Sequence, residues 1–507
     1  MDSALSSCLL IGSFILFVSI LLSKSSEKFG MPLLIIFMIL GVAIGDEGLS
    51  LVKLNADFNL TYGLSLVALC LIIFSGGLQT KLSNAKQVMG SGVSLSSLGI
   101  LLTTALIAAF SYTIFQIELK QALLLGAILS ATDAAAVFSL LRNKNSQIQK
   151  KVKDVIELES GSNDPMAYFL VTFFLGTEFN FSSNYFAIVS QLLINPILGL
   201  GGGFVLFKAY KWINEKITLE FQGLYPLLIL SFLFLAFAGV NKIGGNGFLA
   251  VYTFGMLLGN AKLSHKKTSL SFFDGTTWLF QIGLFVLLGL LVSPGRLIEV
   301  APYAIALSLF LQFIARPLTV FICMAFSPFG FKEKLLVSWS GLKGATSIVF
   351  ASFVAQSLGG EVLFLFDIVF FAVMLSILIQ GSTVKLLAKK LNLYYEAVLD
   401  PDFPVDMEFL EKTKNGIKEY ALAKSDFAVG KKLIDLDLPI GSVVLFIKRA
   451  GLFIIPDGTT EFQACDKVLL VTSTKDEVAD CIEKFKNQEN TELDIDEKIL
   501  SFSQKAA

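Results

Sequence analysis

The chain has 507 residues, of which 54% are hydrophobic and 16% charged, with a formal net charge of −1. At a mean hydropathy of +0.72, it carries more apolar surface than a water-soluble globule can bury, which makes it an integral membrane protein. The apolar runs are of helix-spanning length and lack the alternating pattern of an outer-membrane barrel, so a helical bundle is expected and nucleic acid is not a partner.

In chain order, spans are predicted near 4–22, 31–45, 62–80, 91–115, 121–141, 155–176, 185–210, 222–240, 244–260, 276–292, 300–326, 334–356 and 362–388. The first run has no basic residues before it and no small-residue cleavage site after it, so it reads as a span and not as a removable signal peptide. Orientation follows the loop lysines and arginines. One side holds twenty, including Lys24, Lys28, Lys81, Lys86, Arg142, Lys144, Lys150, Lys151, Lys153, Lys208, Lys262, Lys334 and Lys385, whereas the other holds only Lys53, Lys120, Lys242 and Arg296. The N-terminus is therefore expected outside and the C-terminus in the cytoplasm.

Spans five and six break the apolar rule. Asp133 lies halfway along span five in SATDAAAVFSLL, and Asp164 halfway along span six in ELESGSNDPMAYFL. A carboxylate at such depth costs about 2.5 to 3.5 kcal/mol, so it needs a partner or a water-filled cavity. Both places carry marks of an interrupted helix: Ser130 to Asp133 offer side chains that compete for backbone bonds, and Pro165 withholds an N–H while Gly161 loosens the turn before it. A third break is expected at Gly341-Leu342-Lys343-Gly344 in span twelve, and Arg316 is a further charge in span eleven. Burial disfavours an ionised carboxylate and a bound cation favours it, so one acid can trade a proton for a cation. Thr132, Ser160 and Asn163 add oxygens of the kind that replace a hydration shell. Glu159 reads as a lock paired with Lys343 or Arg316. Glu157 and Asp154 read as interfacial, and Asp367 has no partner legible in sequence.

From Leu391 onward the chain holds 22 acidic against 14 basic residues, whereas the part before it holds 19 against 26. A membrane domain over 1–393 thus precedes a small soluble α+β domain over 400–485 and a polar tail over 486–507. Strands are predicted in 441–473, parted by Arg449-Ala450-Gly451 and Pro456-Asp457-Gly458. The cysteines Cys8, Cys70, Cys323, Cys465 and Cys481 have no C-x-x-C spacing and support neither a disulfide framework nor zinc. His265 reads as an ordinary solvated residue. The phosphate-binding loop of an ATP-driven pump is absent, and no cofactor is expected.

The strings SATDAAAVFSLL, ELESGSNDPMAYFL, FIARPLTVF and SWSGLKGATSIVFA resemble the monovalent cation:proton antiporter-1 family, in particular its bacterial potassium/proton branch. The likeness covers the whole membrane part. The stretch VGKKLIDLDLPIGSVVLFIKRAGLFIIPDGTTEFQACDKVLLVTS resembles the C-terminal half of the RCK (TrkA-C) regulatory module. The resemblance implies an all-α inverted-repeat fold of about thirteen helices with broken members, usually a homodimer, in a bacterial inner membrane. It implies electroneutral exchange of K+ for H+ at Asp164, with Asn163, Asp133, Thr132 and Ser160 around the cation and Glu159, Arg316 and Lys343 as architectural charges. Control by a small nucleotide at the tail is what the analogy implies; the tail lacks GxGxxG, and a dimerising or stabilising role is the alternative.

Two departures bear on the site. The family carries an acid where this chain has Ser75, and it reads GLRGAVP where this chain reads GLKGATS. Lysine and arginine are not interchangeable at a bidentate site. Na+/H+ or mixed exchange is the nearest competing reading. From other classes, a gated potassium channel would need a TVGYG-like filter, which the sequence lacks, and the Asp133 and Asn163-Asp164 motifs argue against a non-transporting sensor. Restoring both departures, Ser75→Asp with Lys343→Arg, is expected to displace the curve of exchange activity against pH in vesicles; an unmoved curve would show that neither residue tunes proton access.

Overall fold

The computed structural model describes residues 6, 10–21, 33–45, 48–50, 58–133, 136–137, 146–176, 185–217, 219–261, 263, 265–359, 362–396, 416–423, 425–439, 441–449, 452–473 and 477–486. Cys8, Lys24, Lys28, Lys53, Arg142, Lys144, Lys262 and the tail after 486 lie outside them. The chain divides into two compact units, Met1–Glu396 and Ala397–Ala507.

The first unit is helical. Its elements are α1 (Leu10–Leu21), α2 (Leu33–Ile44), α3 (Phe58–Gln79), α4 (82–115), α5 (Leu119–Ser130), α6 (Lys150–Gly176), α7 (Tyr185–Lys216), α8 (Leu224–Lys242), α9 (Gly247–Gly259) and α10 (Lys266–Leu290). There follow α11 (Pro294–Cys323), α12 (Phe331–Trp339), α13 (Ala345–Leu358) and α14 (Leu363–Lys390). Among the described residues six helices are long and apolar enough to cross a membrane by length and composition, and each of the predicted spans contains a described helix. The largest boundary differences are at α4 and α10, which begin at Leu82 and Lys266 because their polar first turns still make helical bonds.

Two sets of helices pack among themselves. In one, α3 packs on α9 and α10, α2 on α10, and α7 on α8 and α9. Glycines permit the closeness: a Cβ on Gly203 of α7 would stand 2.5 Å from the Ala250 carbonyl of α9. In the other set, α5 lies against α4 and α6, and α13 against α5, α6 and α14. Phenylalanine fills the interior (Phe37, Phe74, Phe248, Phe254) and also covers the outside (Phe14, Phe17, Phe204, Phe313).

Irregular turns occur where local chemistry asks for them. A π-turn at Leu311–Ala315 precedes Pro317, whose missing N–H and bulky ring would otherwise clash with the preceding helical turn. Two of the three predicted breaks are present: α5 stops at Ser130, Ala131 is extended, and residues 340–344 separate α12 from α13. The third is not. Helix α6 runs unbroken from Lys150 to Gly176 with Pro165 inside it. One proline withholds a single N–H, and packing against α4, α5 and α9 holds the remaining turns. Gly161 serves a different end, since a Cβ there would collide with the Tyr252 ring.

Strand β1 (Ser146–Ile148) pairs antiparallel with β2 (Tyr394–Glu396). In the second unit β3 (Gly416–Ala421), β4 (Val443–Arg449), β5 (Leu452–Ile454) and β6 (Lys467–Thr472) form an antiparallel sheet of order β3-β6-β4-β5. Helix α15 (Glu477–Lys486) packs on β3 and β6, over a core that includes Ile447, Phe462, Val468, Leu470 and Phe485. Arg449 donates to both carboxylate oxygens of buried Asp466, at 2.9 and 2.7 Å, and to the Glu461 carbonyl. Arg449→Ala is expected to cost this unit about 2 kcal/mol, the range of charged hydrogen bonds, read as faster proteolysis of the C-terminal unit in the full chain.

Candidate functional site

The two unwound stretches meet. The Asp133 N–H donates to the Leu342 carbonyl at 2.8 Å, one main chain directly on the other. Backbone polar groups away from water must be satisfied within the protein, and this bond does so for a donor that no helix serves. Glycine makes the approach feasible on both sides. A Cβ on Gly344 would collide with the Asp133 carboxylate, and one on Gly341 would stand 2.5 Å from Arg316 Nε.

Helix ends then determine where the charges lie. The carbonyls that close α5 carry partial negative charge, and Lys343 Nζ donates to two of them, Ala131 at 3.0 Å and Ser130 at 3.4 Å. Lys343 is 2% exposed. Its N–H bonds Ser376 Oγ at 3.1 Å, and Ser376 in turn donates to Gln380 Oε1 at 2.6 Å, which ties the crossing to α14. The opening turn of α13 carries partial positive charge and receives both acids. Asp133 lies against Gly344, the residue before α13, while its Oδ1 accepts the Ala136 N–H and so caps the resumed helix of span five. Asp164 Oδ2 accepts the Thr346 hydroxyl at 3.0 Å.

Helix α6 contributes its polar face to the same place. Ser160 Oγ donates to the Thr132 carbonyl at 2.6 Å, and Asn163 Nδ2 donates to Thr132 Oγ1 at 2.5 Å. Thr132, Ser160, Asn163, Asp164 and Asp133 therefore form one cluster around the end of α5. Asp164 is 8% exposed. Its Oδ1 and the Asn163 Oδ1 have no hydrogen-bond partner among the described residues. Unsatisfied buried acceptors are uncommon in proteins, and two of them on consecutive residues, one a carboxylate, suit a monovalent cation or a proton. No cluster of three or more His, Cys, Asp or Glu side chains that could hold a metal ion occurs among the described residues.

The remaining predicted charges have separate places. Glu159 pairs with Arg316 and not with Lys343: NH1 to Oε1 is 2.6 Å and NH2 to Oε2 is 2.9 Å, with both groups buried. This two-pronged geometry satisfies both carboxylate oxygens. Glu157 is partly exposed and 3.5 Å from Lys153, and Asp154 is buried within the protein. Ser75 is buried in α3 and makes no side-chain hydrogen bond to the cluster among the described residues.

Sequence reasoning missed four contacts. Asp367 pairs with Arg296, at 2.8 Å, a residue counted only as a loop charge. Thr346 and the Ser376–Gln380 pair carry no charge to mark them. Asn246 caps α9 through the Leu249 N–H and donates to the Pro165 carbonyl, at 3.0 and 2.7 Å; its place in GGNGF reads only as a turn. Aromatic rings pack about α6. Tyr62 and Phe353 stack at 4.8 Å, Tyr62 is hydrogen-bonded to Tyr168, and Tyr168 meets Phe248 edge-on at 4.7 Å. Tyr252 packs over Gly161 and lies 3.4 Å from the Thr80 hydroxyl.

Residues 13–390 match the family described as the sodium/hydrogen exchanger, transmembrane, and residues 417–483 match the TrkA-C domain. The K+/H+ antiporter NhaP2 of Shewanella baltica (strain OS223) is 32% identical over 481 residues, spanning 93% of this chain and 82% of its own length. That of Shewanella oneidensis is 33% identical over 480 residues, with the same coverage. The Na+/H+ antiporter 1 of Methanocaldococcus jannaschii is 27% identical over 349 residues, 65% of this chain and 79% of its own. The fold is similar to the structure of the sodium proton antiporter MjNhaP1 from Methanocaldococcus jannaschii at pH 8, with a TM-score of 0.66 and 25% identity over 76% of this chain and 99% of that one.

Removing one member of a buried ion pair leaves the other charge uncompensated. Glu159→Ala or Arg316→Ala alone is expected to cost about 3–5 kcal/mol, and the double change Glu159→Leu with Arg316→Met much less. Thermal unfolding of the purified variants checks this; a double variant as unstable as the singles would mean that the pair does more than neutralise itself.

Proposed function

The chain belongs to the sodium/hydrogen exchanger family, and on that premise we propose that the buried Asp164 carboxylate carries the exchange, taking a proton and a cation in turn. Cation:proton antiport by a multi-pass membrane transporter is the activity, and the relatives named K+/H+ antiporters, matched across 93% of this chain, support K+ as the cation. The single observation that carries the role of Asp164 is its unpartnered buried Oδ1, with the Oδ1 of the preceding residue, Asn163, equally unpartnered. A proton covalently held on that oxygen and a cation bound to it exclude each other. Occupancy by one is therefore release of the other.

Around it the residues divide the work. Asn163 is oriented by Thr132 so that its Oδ1 is left for the cation. Ser160 holds the Thr132 carbonyl, and thereby the unwound turn, against α6. Asp133 caps the resumed helix and adds negative charge near the cation. Lys343 neutralises the end of α5 and keeps the crossing closed. Glu159 and Arg316 neutralise each other and leave Asp164 as the acid that changes state. One proton for one monovalent cation at one carboxylate makes the exchange electroneutral.

The setting we infer is a bacterial inner membrane with the N-terminus outside and the C-terminus in the cytoplasm, supported by the loop lysine asymmetry, with the protein acting as a homodimer. The decisive measurement is proton flux in vesicles of reconstituted protein on addition of KCl, NaCl or LiCl. The native protein is expected to respond most strongly to KCl and Asp164→Asn to none of the three. Exchange persisting in Asp164→Asn would transfer the carrier role to another group, and a stronger response to NaCl would make Na+ the substrate.

A further inference from the structure

Thr346 occupies a position where the family string GLRGAVP carries valine. It is the second residue of α13, after Gly344 and Ala345, and its hydroxyl donates the one hydrogen bond that the Asp164 carboxylate accepts among the described residues. Of the two carboxylate oxygens, one is thus held and the other, fully buried, is left without a partner.

We propose that Thr346 is a positioning residue for the exchanging carboxylate: its hydroxyl holds Oδ2 so that Oδ1 is the atom that trades proton for cation, and its hydrogen bond favours the ionised, cation-ready state. The proposal rests on the reading of Asp164 as the carrier. With the proton on Oδ1, Oδ2 remains a carbonyl oxygen and goes on accepting from the Thr346 hydroxyl. The contact therefore survives both states. It is stronger in the ionised one, where the acceptor is charged, and that difference biases the competition toward the cation. Valine offers nothing to either state.

The charged groups facing Asp164 are Asp133, from the segment after α5, and Lys343, from the segment before α13. From α6 itself and from α11, Glu159 and Arg316 offset each other. All four remain in a Thr346 variant, so a change there reports the hydroxyl alone. Without it the proton is held relatively better, so K+ must compete harder at any given pH and less so as pH rises.

The experiment is K+-driven proton flux across a pH series in vesicles of the full chain carrying Thr346→Val, Thr346→Ala, Thr346→Ser or Asp164→Asn. For Thr346→Val the apparent KM for K+ is expected to rise about tenfold at a fixed pH and the activity profile to move about one pH unit alkaline, with the rate at saturating K+ retained. Thr346→Ala removes the same hydroxyl without added bulk and must give the same shift. Thr346→Ser keeps the hydroxyl and must restore both values. Profiles for Val and Ala that overlay the native one, or a Ser variant that shifts with them, overturn the proposal. An inactive Asp164→Asn alongside such a result confines the failure to Thr346, whereas an active one removes the carrier reading itself.

Discussion

Main chain that leaves a helix at membrane depth must find partners for its own N–H and C=O groups, and in the membrane unit two such segments solve that problem together. The Asp133 N–H on the Leu342 carbonyl, and Lys343 on the last carbonyls of α5, satisfy groups that would otherwise be orphaned. The glycines at 341 and 344 are needed because a side-chain carbon there would strike Arg316 or Asp133. The charges beside it take the signs that the helix ends demand, a lysine at the carbonyl end of α5 and two acids at the amide end of α13.

Within that frame, acids of one chemical type hold different jobs because their neighbours differ. Glu159 has both oxygens engaged by one guanidinium. Asp367 has Arg296. Asp133 spends an oxygen on a helix cap. Asp164 alone of these faces a buried interior with an oxygen that nothing in the described protein satisfies. An exchanger needs such a division, since a carboxylate locked to a permanent cation cannot release one ion for another, and an interior of unpaired acids would not stay folded.

Much of this was legible in the sequence, and the residues show why. Asp133, Asp164, Arg316 and Lys343 announce themselves because a charge in an apolar run is costly wherever it lands. The breaks at 131–133 and 341–344 were legible from local chemistry, since a cluster of hydroxyls or paired glycines weakens a helix independently of what surrounds it. Pro165 pointed the other way, and packing overrode it: a proline's local penalty is fixed, while the stabilisation that neighbours return depends on a fold that no local pattern contains. Thr346, Ser376, Gln380 and Asn246 were illegible for a related reason. A neutral side chain in a helix costs little to bury if it is bonded, so nothing in its own stretch of sequence marks it, and its partner lies anywhere from three to 182 residues away.

The small sheet formed by β1 and β2 has a mechanical consequence. Strand β2 is the last described piece of the membrane unit, at 394–396, and β1 ends one residue ahead of the start of α6, whose Gln149 N–H bonds the Leu393 carbonyl. The chain that continues to the C-terminal unit is therefore not anchored at the end of α14 alone. It is clasped to the foot of the helix that carries Asn163 and Asp164. Three paired residues thus join the end of α14 to the entry of α6, so the two helices share one backbone-bonded foot within the membrane unit.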